Sequence, residues 1–335
     1  MNEIIGLERV KVIKIGGGVL GVFENFEENF QYINNLILRE KNDCEKLIVV
    51  FSAFKGITRK LSDIAIYTDH RYPGSKMFDK IVSDGENNAV KFLYQKFSGI
   101  DGFERLGCFY KENIPIITDN MFGNANITMV NSYKILNMLK DYDILFMPGF
   151  VGISVDHLTT TLGSNGSDTT CIAVASAVDG QCVIIKDTGS VYTADPKVVA
   201  NAVKLNALNL MQANILASLG SEVIHAKGAS YAFQTGIPIY LRSIDGSSET
   251  VISKDASLLP FAGVTFRKVY NGTMLSIVGE GIDPYAAYDA LKEVCSEVEY
   301  FTTTFEGEAS SVIVKTDNGE TIKECLNTLH QYMIA

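Results

Sequence analysis

The chain reads as an α/β protein, with a large domain on a mainly parallel sheet and a smaller α+β module after it. Three observations predict this. Apolar strand-like runs alternate with amphipathic helical stretches, and the first strand meets a glycine turn, a helix and a second strand in that order. After about residue 260 the pattern changes to strand, helix, hairpin and helix. The 335 residues suffice for one large and one small domain, divided as 1–260 and 261–335.

Val10 to Ile15 is a short β-rich run ending at Gly16-Gly17-Gly18. Phe26, Phe30, Ile33 and Ile37 recur at helical spacing and predict an amphipathic helix. Leu47 to Phe51 is continuously apolar, as suits a strand buried on both faces. Together they form a βαβ unit, whose strands pair in parallel. Further strands are expected at 114–117, 144–147, 183–185 and 237–241, with helices at 86–97, 131–140, 170–178 and 208–219. Asp69 to Ser75 is rich in turn residues and reads as a loop. In the C-terminal module Met274 to Val278 reads as a strand, and Asp283-Pro284 opens a helix with a capping acid and a proline. Val298 to Phe305 and Ser311 to Lys315 form a hairpin around Gly307, and Ile322, Cys325, Leu326 and Leu329 mark a final helix.

Composition narrows the function classes. Hydrophobic residues make up 47% and charged residues 20%, an ordinary globular balance. A formal net charge of −10 repels nucleic acid and anionic membrane, so any phosphate must be bound by a local cluster against the global field. The six cysteines show no CxxC pair and no zinc-like spacing with the four histidines, so they read as small buried apolar residues. The N-terminal residues lack a basic segment followed by an apolar core. No apolar run approaches the roughly 18 residues of a membrane span. The expectation is a reduced, cytoplasmic protein.

The richest stretch is 159–170, Thr-Thr-Thr-Leu-Gly-Ser-Asn-Gly-Ser-Asp-Thr-Thr. A turn of small residues before the apolar run Cys171 to Ala175 offers backbone N–H groups at a helix N-terminus, where an anion is held well, with Asp168 at its mouth. Lys14 stands at the end of the first strand beside Gly16 and Gly17. Strand ends of open α/β sheets face the ligand crevice, and glycines let amides approach a phosphate. A lysine beside an ordinary tight turn accounts for these residues equally well. Gly16, Gly18 and Gly21 also fit G-x-G-x-x-G, but the second strand ends Phe51-Ser52-Ala53, without the acid that dinucleotide binding wants.

Ser52 to Thr58 sets two hydroxyls around Gly56. Glu86 follows Gly85 where a helical stretch begins; alone, it reads better as a solvated glutamate favoured by the helix dipole. Lys186-Asp187 closes a strand, and Tyr192 to Lys197 offers an aromatic and a basic residue suited to a nucleotide. Without its neighbours that run is a surface loop.

In their order and spacing these segments resemble the aspartate kinase family, of the amino-acid kinase fold, over roughly residues 10–245. Lys14 to Gly17 match the family's Lys-Phe-Gly-Gly run, and Ser52 to Thr58 match Ser-Ala-x-x-Gly-x-Thr in full. Gly85-Glu86 and Gly149-Phe150 match two further pairs. Thr161, Leu162, Gly163, Gly166, Ser167 and Asp168 match Thr-Leu-Gly-Arg-Gly-Gly-Ser-Asp. Asp187 and the run Tyr192 to Lys197 match the last motif, Tyr-Thr-x-Asp-Pro-Arg. Residues 261–335 resemble an ACT domain, the family's regulatory fold.

The resemblance implies a three-layer α/β/α kinase domain that uses ATP and Mg²⁺ to phosphorylate the side-chain carboxylate of L-aspartate. The product would be 4-phospho-L-aspartate, the first step towards lysine, threonine and methionine. It assigns catalysis to Lys14 and Asp168, and the amino acid to Ser52, Thr58, Glu86, Phe150, Ser164, Ser167 and Asp168. The nucleotide falls to Lys14, Gly16, Gly17, Lys186, Asp187, Tyr192 and Lys197, and no residue is assigned to a metal. The partners implied are ATP, an acidic amino acid and a second copy of the chain, paired through the ACT-like modules.

Four departures stand beside these matches. Ser164-Asn165 replaces the family's Arg-Gly, so a neutral hydroxyl stands where a bidentate arginine, roughly twice as strong a partner, would meet a carboxylate. Gly18-Val19 replaces Thr-Ser. Glu222 replaces a phosphate-facing lysine, leaving Lys186, Lys197 and Lys227 to restore that charge. One ACT-sized module stands where the family has two, with the turn Gly279 to Asp283 where an effector would dock. A kinase for a different small acid and a catalytically weak regulatory paralogue are the alternatives these departures raise.

Overall fold

The computed structural model describes residues 9–68, 74–186, 189–295, 298–300 and 308–334. In chain order the first half runs β1 (Val10–Ile15), α1 (Gly17–Leu20), α2 (Phe26–Asn42), β2 (Lys46–Phe51), α3 (Ile57–Thr68) and α4 (Lys76–Phe97). Then come β3 (Leu106–Cys108), β4 (Ile116–Thr118), β5 (Ile127–Val130), α5 (Ser132–Asp141), β6 (Ile144–Pro148), β7 (Val151–Ser154) and β8 (Thr159–Thr161). There follow α6 (Gly166–Ala177), β9 (Gln181–Lys186), β10 (Val191–Tyr192), β11 (Lys204–Leu205), β12 (Ala207–Asn209), α7 (Leu210–Ser218) and α8 (Ala226–Thr235). The remainder is β13 (Ile239–Ser243), β14 (Glu249–Ser253), β15 (Gly263–Val269), β16 (Gly272–Val278), α9 (Ala286–Leu291), β17 (Val298–Tyr300), β18 (Ala309–Val314) and α10 (Gly319–Ile334). Two compact units result: Met1–Gly189 with Ile239–Ser248, and Ser190–Pro238 with Glu249–Ala335. This line differs from the sequence division at residue 260, which is a division by pattern and motif.

In the first unit β13, β9, β1, β2, β6 and β3 lie side by side, every pairing parallel. Residues of β2 are buried throughout, as its unbroken apolar run predicts. Alternation decides which face each residue serves. Ile13, Ile15, Leu47, Val49, Phe51, Val183 and Ile185 join one core with α2 and α4. Phenylalanines thicken that core: Phe97 meets Phe30, Phe103 and Phe146 with ring centroids 5.0, 4.8 and 5.6 Å apart. The intervening positions, Lys14 and Lys186 among them, serve the opposite face, where α6 packs. A second, four-stranded sheet of mixed direction, β5-β4-β7-β8, completes this unit.

The structure corrects several expected boundaries. Helix α4 starts ten residues before the expected 86, because the Ser75 hydroxyl caps it by accepting from Phe78 N at 3.1 Å. Thr159–Thr161, expected as turn, is a strand paired with β7. The strand expected at 114–117 is β4, in the small sheet rather than the large one. Met1 to Glu8, Asp69 to Pro73 and Gly307 lie outside the described residues.

Within the second unit, β15-β16-β18-β17 form an antiparallel sheet with α9 and α10. Strand β15 has no counterpart among the expected strands; its outer half does not alternate, since Phe266, Arg267 and Lys268 are all exposed. The helix expected at Asp283-Pro284 begins at Ala286, after Asp283 Oδ1 accepts from Tyr285 N at 2.7 Å. The core of this sheet also takes in Ala194 and Val199, from well upstream. Among the described residues no helix is long and apolar enough to cross a membrane.

Phe97 is fully buried among three other rings. Phe97→Ala should cost about 3–5 kcal/mol of unfolding free energy, through lost transfer energy and the cavity left. Urea denaturation followed by circular dichroism measures it, and a loss below about 1 kcal/mol would mean that the aromatic cluster does not hold α4 to the sheet.

Candidate functional site

The parallel strands β1, β2, β6 and β9 end together, and their carboxyl ends are where an open α/β sheet leaves room for a ligand. Lys14 sits one residue before the end of β1, and Lys186 is the last residue of β9. Between them lies the carboxylate of Asp168, in the first turn of α6 and buried. Lys14 Nζ is 2.9 Å from Asp168 Oδ1, and Lys186 Nζ is 3.4 Å from Oδ2. Burial opposes ionisation of Asp168, but the two ammonium groups outweigh it and hold its pKa below the usual carboxylate value.

The loops after β1 and β2 interlock above this cluster. Ser52 N donates to Ile15 O at 3.1 Å, and Lys55 N to Gly21 O at 2.9 Å. Gly17 permits that approach: a Cβ there would lie 2.6 Å from Ala53 O. Ser52 and Thr58 are half-buried, Thr58 in the first turn of α3. Gly85 is a second close approach, its absent Cβ having Ala53 and Leu61 side chains at 3.2 Å. It lets α4 come near enough for Glu86 Oε1 to accept from Ala53 N at 3.3 Å.

Glu86 is therefore not the solvated first-turn residue expected of it alone; it lies mid-helix at 3% exposure. Burial pushes its pKa up to about 7, against hydrogen bonds from Ala53 N–H and the Thr58 side chain. Oε2 is buried and makes no hydrogen bond. A carboxylate oxygen left so has capacity for one more donor, and an ammonium group would supply it.

The β6–β7 connection and the turn from β8 into α6 pack on each other, and each holds a non-glycine residue at positive φ. Phe150 is buried at φ 64°, and its N–H donates to the Thr170 hydroxyl at 3.0 Å. Gly149 packs on Ser167, which is buried. Asn165 stands before α6 at φ 57°, and Ser164 beside it is exposed. Asp187 lies outside the described residues. Tyr192, half-buried, and Lys197, exposed, belong to the second unit, as do Glu222, exposed, and Lys227, half-buried.

One residue of weight escaped the sequence reading. Asp79, on α4 and fully buried, accepts from Gly123 N, Thr161 N and Thr161 Oγ1, each at 2.8 Å. It thereby ties α4 to the strand that leads into the 162–168 turn. The available signal was its spacing of seven from Glu86, two helical turns along one face. Among the described residues no group of three or more His, Cys, Asp or Glu could hold a metal ion.

Known proteins resemble this chain in sequence and fold. The model of the amino acid kinase family matches residues 9–243. An aspartokinase of Bacillus sp. (strain MGA3) is 30% identical over 260 residues, 76% of this chain and 62% of that one. An aspartokinase of Thermus thermophilus is 32% identical over 248 residues, covering 74% and 60%. The chain thus spans about three-fifths of the length of these curated relatives. Among solved structures, E. coli aspartokinase III in complex with aspartate and ADP superposes with a TM-score of 0.79 at 16% identity, over 98% of this chain and all of that one.

Glu86 gives the site a pH signature. Its folded pKa, about 7, lies above the ordinary 4.5, so the folded state binds that proton more tightly and loses stability as pH rises between those values. Glu86→Gln should therefore stabilise the fold at about pH 8 by about 3 kcal/mol more than it does below pH 4.5. Unfolding free energies of both proteins across that range measure the difference, and a difference that does not change with pH would contradict the burial argument.

Proposed function

The chain belongs to the amino acid kinase family, and on that premise we propose that it transfers the γ-phosphoryl group of ATP to the side-chain carboxylate of L-aspartate. The observation that carries the reading is the Asp168 carboxylate held between Lys14 and Lys186 at the strand ends. The names of the curated relatives and the ligands of E. coli aspartokinase III support it.

A carboxylate is already ionised at neutral pH, so the attacking group needs no general base. The chemical task is to bring two anions together and to neutralise charge as the phosphoryl group passes between them. Lys14 and Lys186, aimed at one point by Asp168, would meet that charge without reorganising. Gly16 and Gly17 would bring backbone amides close to the phosphates. Asp187, Tyr192 and Lys197 complete the nucleotide set by resemblance. Mg²⁺ would arrive on the phosphates and supply further neutralising charge.

Ser52, Thr58, Phe150, Ser164 and Ser167 would border the amino acid. Of the two acids, Glu86 suits its ammonium group better. Asp168 already has two cations, whereas Glu86 Oε2 has no partner, and an arriving ammonium would draw its raised pKa back down. Exposed and uncharged, Ser164 favours a second reading, in which the acceptor is a small acid other than aspartate. We also infer a kinase domain over 1–260, an ACT-like module over 261–335 and a homodimer, which light scattering of the full chain would register as twice the monomer mass.

ADP release measured across a panel of amino acids tests the reading. Aspartate dependence supports it, dependence on another acid selects the second, and silence across the panel rejects both. Given activity, Lys14→Ala should lower turnover by about a hundredfold while changing the KM for aspartate far less. A folded variant losing less than about tenfold would remove Lys14 from this role. Ser164→Arg should lower the KM for aspartate by restoring a bidentate carboxylate partner; an unchanged or higher KM would mean that another residue holds that carboxylate.

A further inference from the structure

The run Tyr192 to Lys197 is clamped within the second unit by contacts that its motif does not explain. Thr193 N donates to Val203 O at 2.9 Å, and Thr193 O accepts from Val264 N of β15 at 2.8 Å. Thr193 Oγ1 accepts from Val203 N at 2.9 Å and lies 2.8 Å from Nε2 of His330, on α10. His330 is fully buried, with the Phe261 ring edge-on at 5.5 Å. Further along, Asn327 Nδ2 donates to Val198 O at 3.3 Å, and Ala194 and Val199 enter the core with Cys325 and Leu329.

Hydrogen-bond capacity settles the direction of the Thr193–His330 contact. Nδ1 of His330 makes no hydrogen bond. If Nε2 donated, the threonine hydrogen and the Nδ1 lone pair would both go unmet. If the threonine donates to Nε2, one Nδ1–H is unmet, which is the smaller cost. Burial also lowers the pKa of the ring and keeps it neutral. A buried polar group kept half-satisfied, 137 residues from its partner in the chain, is costly for an element that only needs to pack.

We propose that His330 is a positioning residue for the nucleotide: through Thr193 it fixes the backbone that presents Tyr192 and Lys197. The proposal rests on the nucleotide reading above and adds to it a residue from the last helix of the chain. The Thr193 hydroxyl is the link, so its loss should weaken nucleotide binding even though the residue is buried.

The test is calorimetric titration of the full-length protein with MgATP. Thr193→Val, isosteric but without the hydroxyl, strands His330 Nε2 and Val203 N–H and lets the Thr193 backbone shift, which should raise the dissociation constant about tenfold. Thr193→Ser, which keeps the hydroxyl, should restore affinity to near that of the wild type. His330→Phe should weaken MgATP binding as Thr193→Val does, and the double variant should be no worse than either. A Thr193→Val protein that is folded and binds MgATP as the wild type does overturns the positioning role and leaves the nucleotide reading standing. A wild type that binds no MgATP overturns both.

Discussion

Asp168 sits in a place where an unpaired carboxylate could not remain ionised, and the open end of the sheet is arranged around solving that problem. Lys14 comes from one strand and Lys186 from its parallel neighbour, so the ion cluster joins β1, β9 and the start of α6. Such a cluster adds little stability over an apolar replacement, yet losing one member leaves charge stranded. Its contribution is therefore an arrangement rather than an energy. Two ammonium groups that would repel each other are kept converging on one point, as an anionic ligand requires of them.

Helix α4 shows how the same environment yields two different carboxylates. Asp79 and Glu86 are both buried and lie two turns apart on one face. Asp79 has three donors and behaves as a strut, binding the helix to Gly123 and Thr161. Glu86 takes the Ala53 N–H on one oxygen and leaves the other idle. Depth in the protein does not separate the two; the use made of their oxygens does.

Much of this was legible in the sequence, for identifiable reasons. Strands β2, β6 and β9 are interior strands of a parallel sheet, so their apolar runs are long and easily seen, while β1 keeps β-branched residues around Lys11 and Lys14. Lys14 and Asp168 stood out because each sits beside glycines that interrupt the local pattern. The small sheet was hidden because Thr159–Thr161 is short and polar, the composition of a turn. Taken without the resemblance, Glu86 reads as solvated because Ser83-Asp84-Gly85-Glu86-Asn87-Asn88 looks like a solvated face, and only the fold reveals that Gly85 draws it against Ala53. The pairing of Asp168 with Lys186 depends on a β-strand register, which no local pattern encodes.

The packing of Ala194 and Val199 against Val264, Leu275 and Leu329 bears on how such a chain can be recombined. A chimera that exchanged residues 261–335 for those of a relative would keep its own 190–203 segment and set it against foreign side chains. The hydroxyl of Thr193 would then face whatever replaced His330. Exchange is cheap only where few contacts cross the junction. By that measure the C-terminal module is not a detachable cassette: it would be inherited, or engineered, together with the loop it grips.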